Sequence, residues 1–142
     1  MVVEPVTFVP IGWVENKFDS PATPEMIRAS ESRIVLNPAL TEGLTGLEPG
    51  MRIIVIYCFH LSTPLFRESK GHRLLVERDK LLQHPRGDRS RPKQGVFALC
   101  TPHRPNPIGV TVVELLSVEG NVLRVRGLDA LNGSPVLDLK PA

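Results

Sequence analysis

The sequence predicts a mostly β fold, with the strands forming a compact, mostly antiparallel barrel or closed sheet and only short helices. Short segments rich in β-branched and apolar residues recur along the chain, while helical signals are few. The tripeptide at 119–121, Glu-Gly-Asn, separates two such segments and is typical of a hairpin turn. No long helices alternate with the strands, which argues against a doubly wound α/β sheet.

Seven segments are predicted to be strands. The longest contains an unbroken run of strand-forming residues from Ile53 to Tyr57 and is expected to be buried. The others are shorter and are bounded by turn-forming residues. The predicted strands are 8–14, 33–36, 51–61, 95–99, 110–118, 122–128 and 136–139.

Two short helical turns are expected. Asn37 followed by Pro38 has the pattern of an N-cap with proline at the first helical position, and the helix should end near Gly43 or Gly46. Residues 79–83 form the second candidate turn.

Length and composition favour one domain covering residues 1–142, and a cytoplasmic protein. No apolar run approaches the roughly 20 residues needed to cross a bilayer, so no membrane association is expected. The N-terminus lacks the pattern of a secretion signal. Two cysteines, Cys58 and Cys100, are too few for a disulfide framework and suit a reducing compartment.

Positive charge is concentrated in one segment, although the net charge of the chain is only +2. Residues 67–93 contain nine Lys or Arg and four acidic residues, so the rest of the chain is mildly acidic. Such an asymmetry is expected of a nucleic-acid-binding protein. The alternative is an ordinary solvated, charged loop, because residues 84–93 have no apolar anchor besides their prolines.

Two loops contain side chains suited to ligand binding. Residues 102–109 have three prolines, which would hold Arg104 and Asn106 on a rigid frame. Residues 128–141 contain an Asn-Gly turn with Asp129 nearby, and Asp138 on the following strand. The alternatives are that residues 102–109 form a stiff loop without a binding role, and that Asp129 and Asn132 only form the turn.

Other chemistries are not supported by the sequence. It has no GxGxxG, Walker A or GxSxG pattern. Cys58 and His60 share a strand face, and Cys100 lies three residues before His103, but this is not a recognised zinc spacing. We therefore expect no metal.

The signature of the TsaA-like family, also called TrmO or UPF0066, resembles residues 95–98 together with 102–109 (PHRPNPIG). Segments 10–12, 42–50 and 132–141 agree with further blocks of that family in the same order. The resemblance implies a single-sheet β-barrel that binds S-adenosylmethionine close to a homodimer interface. It also implies methylation of N6 of threonylcarbamoyladenosine at position 37, in the anticodon loop of tRNA.

Individual residues are candidates for each part of this reaction, and among them the contacts to S-adenosylmethionine are those that the resemblance implies. Asp129 or Asp138 would accept the proton that N6 loses, and 102–109 would meet 129–135 to form one pocket for the donor. Phosphate contacts to the RNA would come from Arg86, Arg89, Arg91, Lys93 and Arg104. Contacts to S-adenosylmethionine would come from Ala22, Thr23, Pro24, Ser62, Thr63, Cys100, Val110, Arg126, Gly127, Leu128 and Asp129.

The sequence departs from the family pattern at three points. Cys100-Thr101 stands where the family usually has Arg-Ser, and Asn132 replaces the usual Asp before glycine. The sequence ends at Ala142, where many members continue into a C-terminal domain. The alternatives are therefore a non-catalytic module that binds S-adenosylmethionine or RNA, and a methyltransferase acting on a small molecule.

Overall fold

A computed structural model describes residues 4–68 and 74–142. The chain divides into two compact units, one formed by Met1–Cys58 with Val110–Ala142 and the other by Phe59–Gly109. Two basic residues of the charged segment, Lys70 and Arg73, lie outside the described residues. The strands of the described chain are β1 (Gly12–Glu15), β2 (Glu31–Leu36), β3 (Arg52–Cys58), β4 (Phe66–Glu68), β5 (Leu74–Val76), β6 (Leu82–Gln83), β7 (Gln94–Gly95), β8 (Ile108–Glu119), β9 (Val122–Arg126) and β10 (Pro135–Pro141).

The first unit is a closed barrel of six strands in the order β1-β10-β3-β8-β9-β2. Antiparallel pairing is recorded for β1 with β2 and β10, β2 with β9, β3 with β10 and β8 with β9. The pairing register shifts between Val136 and Asp138 and between Leu115 and Ser117. The predicted mostly β, single-sheet barrel-like fold with short helices is confirmed.

The core of this unit fills the barrel. Strand residues alternate between buried and more exposed positions, as expected of a sheet with one face inward. Because the sheet is closed, its strands have hydrogen-bonded neighbours on both sides, and the inward side chains pack against each other. Fully buried core residues are Val14, Ile34, Ile53, Val55, Leu115, Leu123, Val125 and Val136.

Gly12 permits the close approach of β1 and β2. It pairs with Leu36, and a Cβ at this position would overlap the carbonyl oxygen of Val35 and lie 2.8 Å from Cα of Leu36. Only glycine fits here without moving backbone.

The predicted hairpin between β8 and β9 is confirmed. Glu119 pairs with Val122, so the turn has two residues, Gly120 and Asn121. Gly120 has a φ of 59°, in the region that glycine favours.

The predicted helical turn after Asn37 is also confirmed. Pro38–Leu44 is a 3-10 helix, and the Asn37 side chain accepts a hydrogen bond from the Ala39 N–H. The turn expected at 79–83 is found one residue earlier, as the 3-10 helix Arg78–Lys80. One further helix, α1 (Pro24–Ala29), was not predicted from the sequence and is capped by Thr23.

The second unit contains two small hairpins, β4 with β5 and β6 with β7. The prediction of a strand at 95–99 is wrong: β7 ends at Gly95, and Val96–Ala98 is a 3-10 helix. Phe97 is 81% exposed, so the apolar run does not mark a buried strand. A third 3-10 helix of this unit is Pro85–Gly87.

Several predicted strand ends are shifted. Residues 8–11 are not part of a strand, because Pro10 lacks an N–H and the chain pairs only from Ile11 onward. Strand β9 stops at Arg126, where Gly127 adopts a φ of 89°. In the part of the chain that the structure describes, no helix has both the length and the apolar character to cross a membrane.

Candidate functional site

The loop between β9 and β10, residues 127–134, is held from inside the barrel by Tyr57. This side chain is 2% exposed, and its hydroxyl donates a hydrogen bond to the carbonyl oxygen of Asp129. The same hydroxyl lies 3.0 Å from Thr111 Oγ1 on β8. A residue in the middle of the loop is thereby tied to two barrel strands.

Asn16, which directly follows β1, also holds this loop. Its Nδ2 donates to the Ala130 carbonyl at 2.8 Å and to Ser32 Oγ at 3.1 Å, while its Oδ1 accepts from the Phe18 N–H. In return, Asn132 Oδ1 accepts from the Asn16 backbone N–H at 3.0 Å. The Asn132 side chain therefore fixes the loop structure, and amide chemistry serves this purpose without a carboxylate.

The two candidate proton acceptors differ in their surroundings. Asp129 is exposed, and its carboxylate makes no hydrogen bond or ion pair recorded among residues 4–68 and 74–142. The Asp138 carboxylate accepts from the Leu139 N–H at 2.9 Å and lies 3.1 Å from Lys140 Nζ. Asp129 is thus available to a ligand, whereas Asp138 is already engaged.

Asp138 also lines a cleft of about 600 Å³ at one end of the barrel. The cleft lies between β10 and the 3-10 helix Pro38–Leu44, and most of its lining is apolar. The hydroxyl that tethers Asp129 belongs to Tyr57, which pairs with Val136 at the opposite end of the β3–β10 ladder from Ile53, a cleft residue. Asp138 lines this cleft, whereas Asp129 is not among its lining residues.

Residues 126–128 lie where β9 ends and the 127–134 loop begins. Arg126 forms ion pairs with Glu114 at 3.5 Å and with Glu31 at 3.8 Å on neighbouring strands. The Gly127 N–H donates to the Ser30 carbonyl, and no heavy atom lies within 4 Å of a Cβ built on Gly127. Leu128 is buried, so of this group Arg126 and Asp129 have exposed side chains.

The candidate residues Ala22, Thr23 and Pro24 lie at the start of α1 in the same unit. Thr23 Oγ1 accepts a hydrogen bond from the Met26 N–H at 3.3 Å, and Pro24 is the first helical residue. The C-cap residue of this helix, Ser30, is the one whose carbonyl receives the Gly127 N–H. The start of α1 and the 126–129 segment are therefore linked through a six-residue helix.

The proline-rich loop of the second unit is held by Arg104. Its Nη1 donates to the carbonyls of Leu99 and Thr101, at 3.0 and 3.2 Å, so part of the guanidinium serves the loop itself. Thr101 Oγ1 in turn donates to Gln83 Oε1 at 2.9 Å. Cys100 lies between these anchors and is exposed.

Ser62 and Thr63 belong to a turn after β3, also in the second unit. The Ser62 N–H donates to the Phe59 carbonyl at 3.0 Å, and Thr63 is exposed. The expectation that 102–109 and 129–135 form one pocket concerns segments of different units, and it stays a prediction.

The basic loop, defined as residues 84–93, is ordered by its own side chains. Asp88 accepts hydrogen bonds from the hydroxyl and the N–H of Ser90, and these bonds lower the pKa of the carboxyl. His84 Nδ1 donates to the Arg91 carbonyl at 2.8 Å. Arg86 has a φ of 51°, unusual for a residue with a side chain. Four exposed cations without an ion pair in the described chain project from this loop: Arg86, Arg89, Arg91 and Lys93.

Both cysteines are free thiols. Burial raises the pKa of the Cys58 thiol. Within the described ranges, no three His, Cys, Asp or Glu side chains cluster closely enough to hold a metal ion.

Sequence reasoning missed Asn16 and Tyr57, although both organise the loop. Tyr57 was recognised as one residue of a buried strand and of a segment that matches the family, without a role in the loop. A buried tyrosine needs a partner for its hydroxyl, and this requirement is the sequence signal from which the tether could have been inferred.

A family model described as "tRNA-methyltransferase O N-terminal domain" matches residues 12–142. A protein of Methanothermobacter thermautotrophicus named "Probable S-adenosyl-L-methionine-binding protein" is 42% identical, over 93% of this chain and 86% of its own length. A Homo sapiens protein named "tRNA (adenine(37)-N6)-methyltransferase" is 33% identical, over 93% of this chain and 29% of its own length.

The fold is similar to a solved structure described as "Crystal structure of TrmO from Pseudomonas aeruginosa". The TM-score is 0.67 at 31% identity, and the match covers 98% of this chain. The present chain spans 56% of the length of that solved protein.

Proposed function

This chain belongs to the tRNA-methyltransferase O N-terminal domain family, and on that premise we propose that it transfers a methyl group from S-adenosylmethionine to tRNA. The proposed acceptor is N6 of threonylcarbamoyladenosine at position 37 of the anticodon loop. The observation that carries the proposal is the family match over 131 residues, 12–142, joined to 33% identity with the human enzyme named for that position.

The described residues at the end of β9 are suited to the proposed donor. Asp129 offers an exposed carboxylate for hydroxyl or amino groups, and space is open beside Gly127. When bound, S-adenosylmethionine supplies a methyl group on a positively charged sulfur. The proposed binding residues in the first unit are Ala22, Thr23, Pro24, Val110, Arg126, Gly127, Leu128 and Asp129, and those in the second are Ser62, Thr63 and Cys100.

Rigidity of the 127–134 loop is what the chain itself contributes to methyl transfer. Tyr57 and Asn16 each fix one carbonyl of the loop, so the neighbouring Asp129 side chain projects from a defined backbone. Holding reacting groups in place before reaction removes much of the entropic cost of the step.

Asp129 is the preferred candidate to accept the proton that N6 loses. In the described chain the Asp129 carboxylate has no hydrogen-bond or ion-pair partner, whereas the Asp138 carboxylate is held by Lys140 and the Leu139 N–H. A carboxylate that is not already engaged can move a proton at neutral pH without first breaking an ion pair.

The RNA would be held by the cations of the basic loop and by Arg104. Arg86, Arg89, Arg91 and Lys93 are exposed on a loop that Asp88 and His84 order in advance. Phosphate contacts of this kind position the RNA, and base 37 is already unpaired in a single-stranded loop. We further propose that the protein acts in the cytoplasm as a homodimer.

Calorimetry with S-adenosylmethionine, combined with transfer of labelled methyl to total tRNA, tests the proposal. We expect binding and transfer, with Asp129→Asn losing transfer while still folding, and Asp138→Asn retaining it. Binding without transfer would contradict the enzymatic function.

That outcome would favour a module that binds S-adenosylmethionine without catalysis. Two observations support this second candidate: the archaeal relatives are named only as binding proteins, and Cys100-Thr101 departs from the family pattern. Methyl transfer to a small molecule in the absence of tRNA would contradict both candidate functions.

A further inference from the structure

One large aromatic side chain of the second unit is held in the solvent. Phe97 is 81% exposed and lies in the middle of the 3-10 helix Val96–Ala98. A single exposed apolar residue is common on protein surfaces and by itself indicates no function. Phe97 is distinguished by the fixed backbone beneath it and by the positive charge of the segments on either side of it in the chain.

The backbone that carries Phe97 is anchored before and after the ring. Val96 is 1% exposed, and its N–H donates to the Leu81 carbonyl at 3.0 Å. The Leu99 N–H donates to the Val96 carbonyl at 3.2 Å, and the Leu99 carbonyl accepts from Arg104 Nη1 at 3.0 Å. The ring therefore projects from an ordered turn, and a ligand that covers it would have little backbone to immobilise.

The basic loop, residues 84–93, leads directly to this turn. It connects β6 to β7, and Phe97 follows the end of β7 by two residues. Lys93 precedes Phe97 by four residues, so their Cα atoms are at most about 14 Å apart. From residue 84 to residue 104 the sequence has five Lys or Arg and a single acidic residue, Asp88, whose carboxylate accepts from Ser90.

Arg104 brings a further cation to the residue that ends the same turn. Its Nη1 is occupied by the carbonyls of Leu99 and Thr101. Within residues 4–68 and 74–142, its Nε and Nη2 have no hydrogen-bond partner. Part of the planar guanidinium therefore remains open to a phosphate oxygen.

We propose that Phe97 is the surface on which an unpaired base of the anticodon loop stacks, while the basic loop and Arg104 hold neighbouring phosphates. Proteins bind single-stranded RNA by this combination of aromatic ring faces and cations. An apolar protein segment would fit less well, because covering Phe97 with it would remove nearby cations from water without a partner. This proposal rests on the tRNA substrate proposed above and adds a residue that positions it.

Filter binding of tRNA over a series of salt concentrations tests the assignment. Phe97→Ala is expected to raise the dissociation constant at least about fivefold, because one stacked base is lost. The slope of log affinity against log salt is expected to stay at the wild-type value, because no cation has been removed. The matched control is Phe8→Ala, which removes a 69% exposed phenylalanine from the first unit and is expected to bind as wild type does.

Two further substitutions separate stacking from simple apolar contact. Phe97→Tyr keeps an aromatic face and is expected to bind tRNA as tightly as wild type. Phe97→Leu keeps apolar surface without that face and is expected to bind as weakly as Phe97→Ala. Because the side chain is exposed, all three variants are expected to fold, and circular dichroism melts establish this.

Two measurements on Phe97→Ala identify other occupants of this surface. The affinity for S-adenosylmethionine, measured by calorimetry, and the sedimentation coefficient are both expected to equal those of wild type. A weaker affinity for the donor would place the ring in the donor site, and a changed sedimentation coefficient would make it a protein contact. Either result would overturn the stacking role, as would a Phe97→Leu variant that binds tRNA as tightly as wild type.

Failure of this proposal is distinguishable from failure of the proposed function. A wild type that methylates tRNA, with a Phe97→Ala variant of unchanged tRNA affinity, would overturn the stacking role alone. A wild type that binds tRNA without methyl transfer, with binding weakened in Phe97→Ala, would support the stacking role and contradict the enzymatic function.

Discussion

Asn16 connects three separated parts of the first unit through one side chain. Its amide reaches Ala130 in the 127–134 loop, Ser32 on β2 and the N–H of Phe18. Tyr57 makes a second connection to the same loop. Because polar groups inside a protein are costly to leave unpaired, these two residues determine the loop conformation more strongly than the exposed residues beside them.

Replacing Asn16 with Ala removes three hydrogen bonds and leaves the part-buried Ala130 carbonyl without a donor. We expect the free energy of unfolding to fall by about 1–3 kcal/mol. Urea unfolding of the variant measures this. The control is Asn106→Ala, whose exposed side chain has no hydrogen bond recorded in the described chain and is expected to change stability by less than about 0.5 kcal/mol.

Cys100 gives a direct readout of the proposed donor site. It is exposed, whereas Cys58 is half-buried and burial raises its pKa, so iodoacetamide is expected to modify Cys100 first. S-adenosylmethionine at ten times its dissociation constant is expected to slow this reaction about tenfold, as mass spectrometry would follow. ATP at the same concentration serves as the control. An unchanged rate of Cys100 alkylation with S-adenosylmethionine bound would show that Cys100 is not part of the donor site.

At the scale of elements, local sequence signals predicted turns better than strand ends. Asn37-Pro38 was recognised as a helix start, and Thr23-Pro24 has the same pattern but was missed because the six-residue helix has no buried residue. Residues 95–99 look like a strand locally, yet only Gln94 and Gly95 find a partner, in β6. Strand formation depends on a partner that local composition does not encode.

The pairing of β1 with β2 depends on the missing side chain of Gly12. Gly12→Ala would overlap the backbone of Val35 and Leu36, and we expect a loss of at least about 2 kcal/mol of stability. Gly43→Ala is the matched control, because no heavy atom lies within 4 Å of a Cβ built there and its φ is not in the left-handed region. Thermal unfolding of the two variants compares them, and equal stability would contradict the close approach.

The exposed cations of the basic loop are expected to contribute to tRNA binding and to its salt dependence. Replacing Arg89 and Arg91 with Ala removes two exposed cations, and the slope of log affinity against log salt should become shallower by about two. The control variant, Arg33→Ala with Arg124→Ala, removes two charges that are paired with Glu15 and Glu31. Filter binding of tRNA over a series of salt concentrations gives both slopes. An unchanged slope in the loop variant would exclude these arginines from the RNA surface.

For the whole molecule, the fold class followed from strand content and the family resemblance, and the barrel confirms it. The sequence also identified the loop around Asp129 as a candidate, because turn residues and a carboxylate stand together there. It did not reveal that Tyr57 and Asn16 hold this loop, since contacts between residues 72 or 114 positions apart depend on barrel closure. The sequence also did not distinguish Asp129 from Asp138. The two differ because the Asp138 carboxylate is paired with Lys140 in the structure.

Mass spectrometry of nucleosides from a purified tRNA substrate tests the central claim most directly. Threonine tRNA carrying threonylcarbamoyladenosine at position 37 would be incubated with the protein and S-adenosylmethionine. We expect one added methyl group on that nucleoside, and no added methyl group when the donor is omitted or Asp129 is replaced by Asn. A donor that binds to the protein while the nucleoside stays unmethylated would contradict this expectation.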